Sequence, residues 1–116
     1  MRSLVAVLVL FLLIIPAHTE DCVASVYSVG EPSQPGTETA SGIPLDDDAM
    51  TAAHKSLPFG SKVKVTNKQN GRSVTITITD RGPYVTGRCI DVTKAGARAL
   101  GIDGLAPVNV ASGKEE

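Results

Sequence analysis

Residues 75–84 read TITITDRGPY, an alternating stretch that ends in a carboxylate and breaks at once into a turn. Val74, Ile76 and Ile78 share one face under the two-residue period of a strand, and Thr75, Thr77 and Thr79 share the other. Asp80 falls on the apolar parity, so a strand that stays regular to its end aims this carboxylate at the interior of a sheet or barrel. Desolvation favours the protonated form of a carboxyl, which suits such a group to proton transfer near neutral pH. A second use is open to the same residue: Asp often accepts backbone hydrogen bonds in a turn such as Arg81-Gly82-Pro83.

Outward from this stretch, the chain punctuates itself into short strands and one helix. Asn70-Gly71 separates the strand at 73–79 from an alternating run at 62–66, where Val63 and Val65 point inward; the pair reads as a hairpin. Residues 88–92 form a short strand with Ile90 and Val92 on one parity. Thr93 then reads as an N-cap, residues 94–100 as a helix and Gly101 as its stop. Residues 23–27 and 107–111 are further strands, residues 30–36 a loop, and Asp46-Asp47-Asp48 either a capped helical turn or a solvated run. Many short strands with one helix and no strand–helix alternation predict a small β-barrel or sandwich.

The first nineteen residues read differently. Arg2, the apolar run 4–15 and the small-residue exit Pro16-Ala17-His18-Thr19 have the layout of a secretory signal peptide, cut after Thr19 or after Ala17. The apolar run is too short to span a bilayer as a helix. The residues before Cys22 do not suit lipid attachment, so a soluble secreted or periplasmic protein with no membrane anchor is expected. The remainder, residues 20–112 with a polar tail at 113–116, is enough for one domain. Loss of the leader takes Arg2 with it and moves the net charge from −1 to −2. That balance argues against a nucleic-acid partner. Tyr27, Phe59 and Tyr84 are the only aromatics after the leader, so the core is expected to be aliphatic. Cys22 and Cys89, the only cysteines, predict one disulfide in an oxidising compartment, worth roughly 4 kcal/mol for so long a loop. His54 is the only histidine after the leader, and with two distant cysteines it offers no recognisable metal-ligand spacing.

Five segments carry a resemblance: TASG at 39–42, TAAHKSLPFGSKVKVTN at 51–67, NGRSV at 70–74, TDRGPY at 79–84 and CIDVTKAGARALG at 89–101. In order and spacing the set resembles the rare lipoprotein A (RlpA) family. The resemblance covers nearly the whole chain after the leader. It implies a mainly β fold, a six-stranded double-psi β-barrel with one or two short helices. It also implies an endolytic lytic transglycosylase that cuts peptidoglycan glycan strands between N-acetylmuramic acid and N-acetylglucosamine, acting without a cofactor; a monomer is expected. Within that resemblance Asp80 and His54 take the catalytic positions. Tyr27, Ser41, Arg81 and Tyr84 are candidates for holding sugar, with Arg81 bracing Asp80 or a sugar carboxylate. His54 also reads as a partly buried imidazole bonded to backbone beside Leu57 and Phe59. Where the family usually has Glu after TASG, this chain has Ile43. More distant relatives, the expansins and barwin-like proteins, include members that bind polysaccharide without cutting it, and a non-catalytic glycan-binding or wall-loosening module is the alternative.

Overall fold

The computed structural model describes residues 18–30 and 37–113; residues 1–17 of the leader expected at 1–19, most of the loop read at 30–36 and residues 114–116 of the tail expected at 113–116 lie outside the described residues. Six strands and one helix follow in order: β1 (His18–Val26), β2 (Thr51–His54), β3 (Lys62–Asn67), β4 (Ser73–Asp80), β5 (Arg88–Val92), α1 (Lys94–Leu100) and β6 (Ala106–Ser112). The strands close into a barrel in the order β1-β5-β2-β4-β3-β6. β1 pairs with β5 and β2 with β4 in parallel, and the other four pairings are antiparallel. Closure leaves no sheet edge to protect.

Alternation builds the inside. Val63, Val65, Ile76, Ile78, Ile90, Val92, Val108 and Val110 are fully buried, together with Ala24 and Ala52, and no aromatic ring enters this cluster. β-branched side chains suit the pleated wall, and their small volumes suit the narrow lumen. Helix α1 closes over β4 and β5. Thr93 caps it by accepting a hydrogen bond from the Gly96 N–H at 3.2 Å, and Gly101 ends it in the left-handed region at φ 69°. A Cβ on Gly96 would lie 3.1 Å from Val92 Cβ, so glycine is what lets the helix approach the wall so closely. Asn67 and Asn70 both donate their side-chain amides to the Leu100 carbonyl, satisfying the helix end.

Three boundaries differ from the sequence reading. β1 begins at His18, five residues earlier than periodicity suggests, because its first half pairs with β6 from His18↔Ser112 onward. β2 is a strand of four residues that the pattern alone does not reveal. The acidic run forms no helix: Asp46 Oδ1 accepts from the Asp48 N–H, and Asp48 pairs with Arg98 of α1 at 3.3 Å. Cys22 and Cys89 are joined in a disulfide that ties β1 to β5 across 67 residues, with Cα atoms 5.8 Å apart.

Candidate active site

Two β-bulges assemble the site. Along β4, Ile78 pairs with Ala52 but Asp80, not Thr79, pairs with Ala53. One residue is therefore extra, and with a side-chain period of two a single insertion reverses the face of everything after it. Asp80 thus leaves the interior row occupied by Ile76 and Ile78 and joins the outer face with Ala53. This corrects the expectation that its carboxylate points into the barrel. In β5 the same device acts at Cys89: Val23 pairs with Arg88, but Ala24 pairs with Ile90. Arg88 and Asp91, three apart in sequence, consequently share the outer face, and their side chains pair at 3.6 Å.

The registers place Ser25, Asp91, Ala53 and Asp80 side by side on adjacent strands β1, β5, β2 and β4. Two carboxylates therefore flank one methyl group. Their Cα atoms stand two strand spacings apart, roughly 10 Å. Ser25 Oγ donates a short hydrogen bond to Asp91 Oδ1. Asp80 Oδ1 accepts from the Ala40 and Arg81 N–H groups, each at 2.9 Å, and Ser41 N–H donates to the Thr79 carbonyl at 3.2 Å. The TASG loop is thereby strapped to the end of β4. Above the row lies Tyr27, 5% exposed and packed with Leu45 and Ala53. Burial, then the nearby charges of Asp80 and Asp91, push its phenol well above the usual tyrosine range; the neighbouring Thr79 hydroxyl offsets part of this. That hydroxyl does not reach hydrogen-bonding geometry, and the Tyr27 oxygen makes no hydrogen bond among the described residues.

Beside this row opens a cleft of about 260 Å³. Tyr27, Arg81, Arg88 and Asp91 line it together with the turn at residues 82–85. Gly82 makes the rim turn possible, since its φ of 115° is closed to other residues. Tyr84 is 81% exposed, which leaves a ring face open at the mouth.

The other sequence candidates fall elsewhere. His54 is 3% exposed; its Nδ1 accepts from the Ser56 and Leu57 N–H groups at 3.1 Å, and its Nε2 lies 2.6 Å from Glu20 Oε1. Two donors on Nδ1 leave the proton on Nε2, so the imidazole donates to Glu20 and anchors the turn after β2. Arg81 Nη1 donates to the Leu57 and His54 carbonyls at 2.9 and 3.3 Å, and the guanidinium lies 4.0 Å over the Phe59 ring. It braces that turn and not the Asp80 carboxylate. Tyr27 has no open ring face. Ser41 Oγ shares a hydrogen bond with Thr39 Oγ1 at 2.9 Å and ties the loop to itself. Ile43 is 56% exposed. None of the three neighbouring aspartates lines the cleft: Asp47 accepts from the Val29 N–H and faces Lys94, and Asp46 and Asp48 engage as described above. Glu20 lies with both sulfurs within 4.8 Å, but these are bonded to each other and offer no thiolate.

Asp91 and Arg88 are the site residues that sequence reasoning missed. Asp91 sits on the polar parity beside Ile90 and Val92, a readable signal once the outer face is known to carry the site. Regular alternation puts Arg88 with Ile90 instead, and nothing local announces the bulge.

A family model described as lytic transglycolase matches residues 19–110. The probable endolytic peptidoglycan transglycosylase RlpA of Nostoc sp. is 50% identical over 90 residues, covering 76% of this chain and 24% of that protein. The endolytic peptidoglycan transglycosylase RlpA of Yersinia pestis is 45% identical over 83 residues, covering 72% and 23%. The chain thus spans about a quarter of the length of these relatives. Among solved structures, the apo expansin of Clavibacter michiganensis superposes with a TM-score of 0.64 at 22% identity, covering 85% of this chain and 52% of the expansin. A Streptomyces papain inhibitor gives 0.64 at 19%, covering 87% and 99%. At such identities the structures share the barrel and no more.

Proposed function

Since the chain belongs to the lytic transglycolase family of RlpA-like double-psi barrels, we propose that it is an exported enzyme that cuts peptidoglycan glycan strands to 1,6-anhydromuramic products. The observation that carries this reading is the outer-face row in which Asp80 and Asp91 flank Ala53 beside an open cleft. In such a reaction an acid protonates the glycosidic oxygen as the bond breaks. A base then takes the proton from the sugar's own 6-hydroxyl, which closes the anhydro ring. The nucleophile belongs to the substrate, so one carboxyl can serve first as acid and then as base. Asp80 takes that part: two N–H groups hold Oδ1, and Oδ2 has no bond among the described residues. Asp91, oriented by Ser25 and Arg88, turns negative charge toward the ring where positive charge develops. Tyr84 offers its open face to a sugar at the mouth. His54 and Arg81 act at one remove, by fixing the turn after β2 against the end of β4 that carries Asp80. Export is supported by the leader pattern at 1–19 and by the disulfide.

A second reading, glycan binding without cleavage, is favoured by one observation: none of the acidic residues near Ile43, which by resemblance stands where the family has its acid, lines the cleft. Purified sacculi and peptide-stripped glycan separate the two. Mass spectrometry should find 1,6-anhydromuramic ends after incubation with wild type; glycan binding without such ends would establish the second reading.

A further inference from the structure

Sulfur and carboxylate meet on the inward face of β1. Residues 20, 22 and 24 share the face opposite Val110, Val108 and Ala106 of β6; Ala24 is fully buried there and Cys22 packs against the core. Glu20 therefore stands on the inward row, whereas Asp21 beside it lies on the outer face with Lys68 and Asn109. A carboxylate oxygen of Glu20 and the sulfurs of Cys22 and Cys89 lie within 4.8 Å of one another. His54 Nε2 donates to Glu20 Oε1 at 2.6 Å and is itself fixed by the Ser56 and Leu57 amides on Nδ1. The imidazole is buried while the Glu20 side chain is 31% exposed, so the group is rooted in the fold and open to solvent on one side. None of these four residues is among those lining the cleft.

Zinc takes thiolate at about 2.3 Å and carboxylate oxygen at about 2.0–2.2 Å in a tetrahedron, which sets its ligand atoms roughly 3.5–3.8 Å apart. Once the S–S bond is open, rotation of the two cysteine side chains and a shift of the carboxylate by about 1 Å reach that spacing. A carboxylate that ligates zinc is itself held by a hydrogen bond, the part His54 plays for Glu20. Water on the exposed side supplies the fourth ligand. Two soft sulfurs in the set disfavour magnesium and calcium, which take oxygen. We propose that Glu20, Cys22 and Cys89 form a zinc site that exists only in the dithiol form of the chain, with His54 as the residue that positions the carboxylate. A dithiol reductant opens the Cys22–Cys89 bond by supplying two electrons and two protons, and closes into its own disulfide. The zinc ion then displaces the two thiol protons to solvent and binds the dithiolate, with no further electron transfer. Disulfide and metal compete for the same two sulfurs, so zinc holds the chain reduced and oxidation expels zinc.

The test uses the full chain, reduced with dithiothreitol, freed of it under argon, and titrated with Zn²⁺ by calorimetry and with Co²⁺ by absorption. One equivalent of metal should bind, Co²⁺ should show the sulfur-to-metal charge-transfer band of thiolate ligation, and Zn²⁺ should raise the melting temperature of the reduced chain. Mg²⁺ should do neither, and the oxidised chain should bind Zn²⁺ at least about a hundredfold more weakly. Glu20→Gln and His54→Gln should each weaken binding to the reduced chain by about 10–100-fold. Asp21→Asn, on the same strand but the outer face, should leave it unchanged. Equimolar Zn²⁺ should slow reclosure of the disulfide by oxidised glutathione at least about tenfold, and Mg²⁺ should not. Three results would each overturn the site. They are equal Zn²⁺ affinity in the oxidised and reduced chains, full affinity of the reduced chain after Glu20→Gln, and binding that leaves the melting temperature of the reduced chain where it was, which is the mark of thiols on an unfolded chain.

Discussion

At the scale of the residue, Asp80 is the sharpest test. Asp80→Asn keeps an oxygen to accept from the Ala40 and Arg81 amides while removing the transferable proton. Turnover measured as anhydromuramic ends should fall by about 10²–10⁴ while the melting curve is retained; an Asp80→Asn variant as fast as wild type would end the mechanism. Ile43→Glu places a carboxylate at an exposed site, so stability should stay within about 0.5 kcal/mol while the yield of anhydro ends rises. Tyr27 yields a pH prediction. Its phenol is raised from an ordinary 10.0 in the folded chain, so the unfolded chain releases the proton first as pH climbs. Stability is thus intact below pH 10 and declines above it, toward the folded value. Denaturant titrations above pH 10 should show a smaller decline in Tyr27→Phe. Of these residues, Asp80 and His54 were visible in the sequence, but their surroundings were not. His54 takes a catalytic position by resemblance, and in the fold it is buried, with the Ser56 and Leu57 amides on Nδ1 and Glu20 beside Nε2.

At the scale of the element, legibility follows regularity. β3, β4, β5 and α1 were readable because alternation, the Asn-Gly turn and the Thr93 and Gly101 caps act within a few residues of themselves. β2 was not, since Thr51-Ala52-Ala53-His54 is short and half alanine, and only its neighbours β4 and β5 make it a strand. The bulges at Thr79 and Cys89 arise from register across strands and leave no local mark. Helix α1 carries a prediction of its own. Thr93 is fully buried, accepts from Gly96 and donates to the Ala49 carbonyl at 2.7 Å. Thr93→Ala loses both bonds and should cost about 1–2 kcal/mol, read as a fall of several degrees in melting temperature.

At the scale of the whole molecule, the barrel was accessible only through the set of motifs, because periodicity does not distinguish one small closed sheet from another. The aliphatic core follows directly from a composition short of aromatics. The disulfide spans most of the fold, so reduction should lower unfolding free energy by roughly 4 kcal/mol. Thiol titration of the denatured, unreduced protein should find no free cysteine. The outermost pairs of β1 and β6 begin at His18, so if the proposed export removes a leader, a cut after Ala17 preserves them and a cut after Thr19 removes two; intact mass of the protein from its host should show one of these cuts, and a mass that retains residues 1–15 would end the export proposal. The two bulges also bear on how such a barrel changes over generations. A codon gained or lost elsewhere in either strand would shift the residues beyond it by one place and turn the aliphatic row outward in one genetic step, whereas loss of Thr79 or Cys89 removes only the extra residue and leaves Asp80 or Arg88 on the outer face. Substitutions along the outer row instead leave the aliphatic interior untouched. Lineages of this scaffold can therefore drift smoothly in what they bind, while insertions and deletions in β4 and β5 are filtered abruptly.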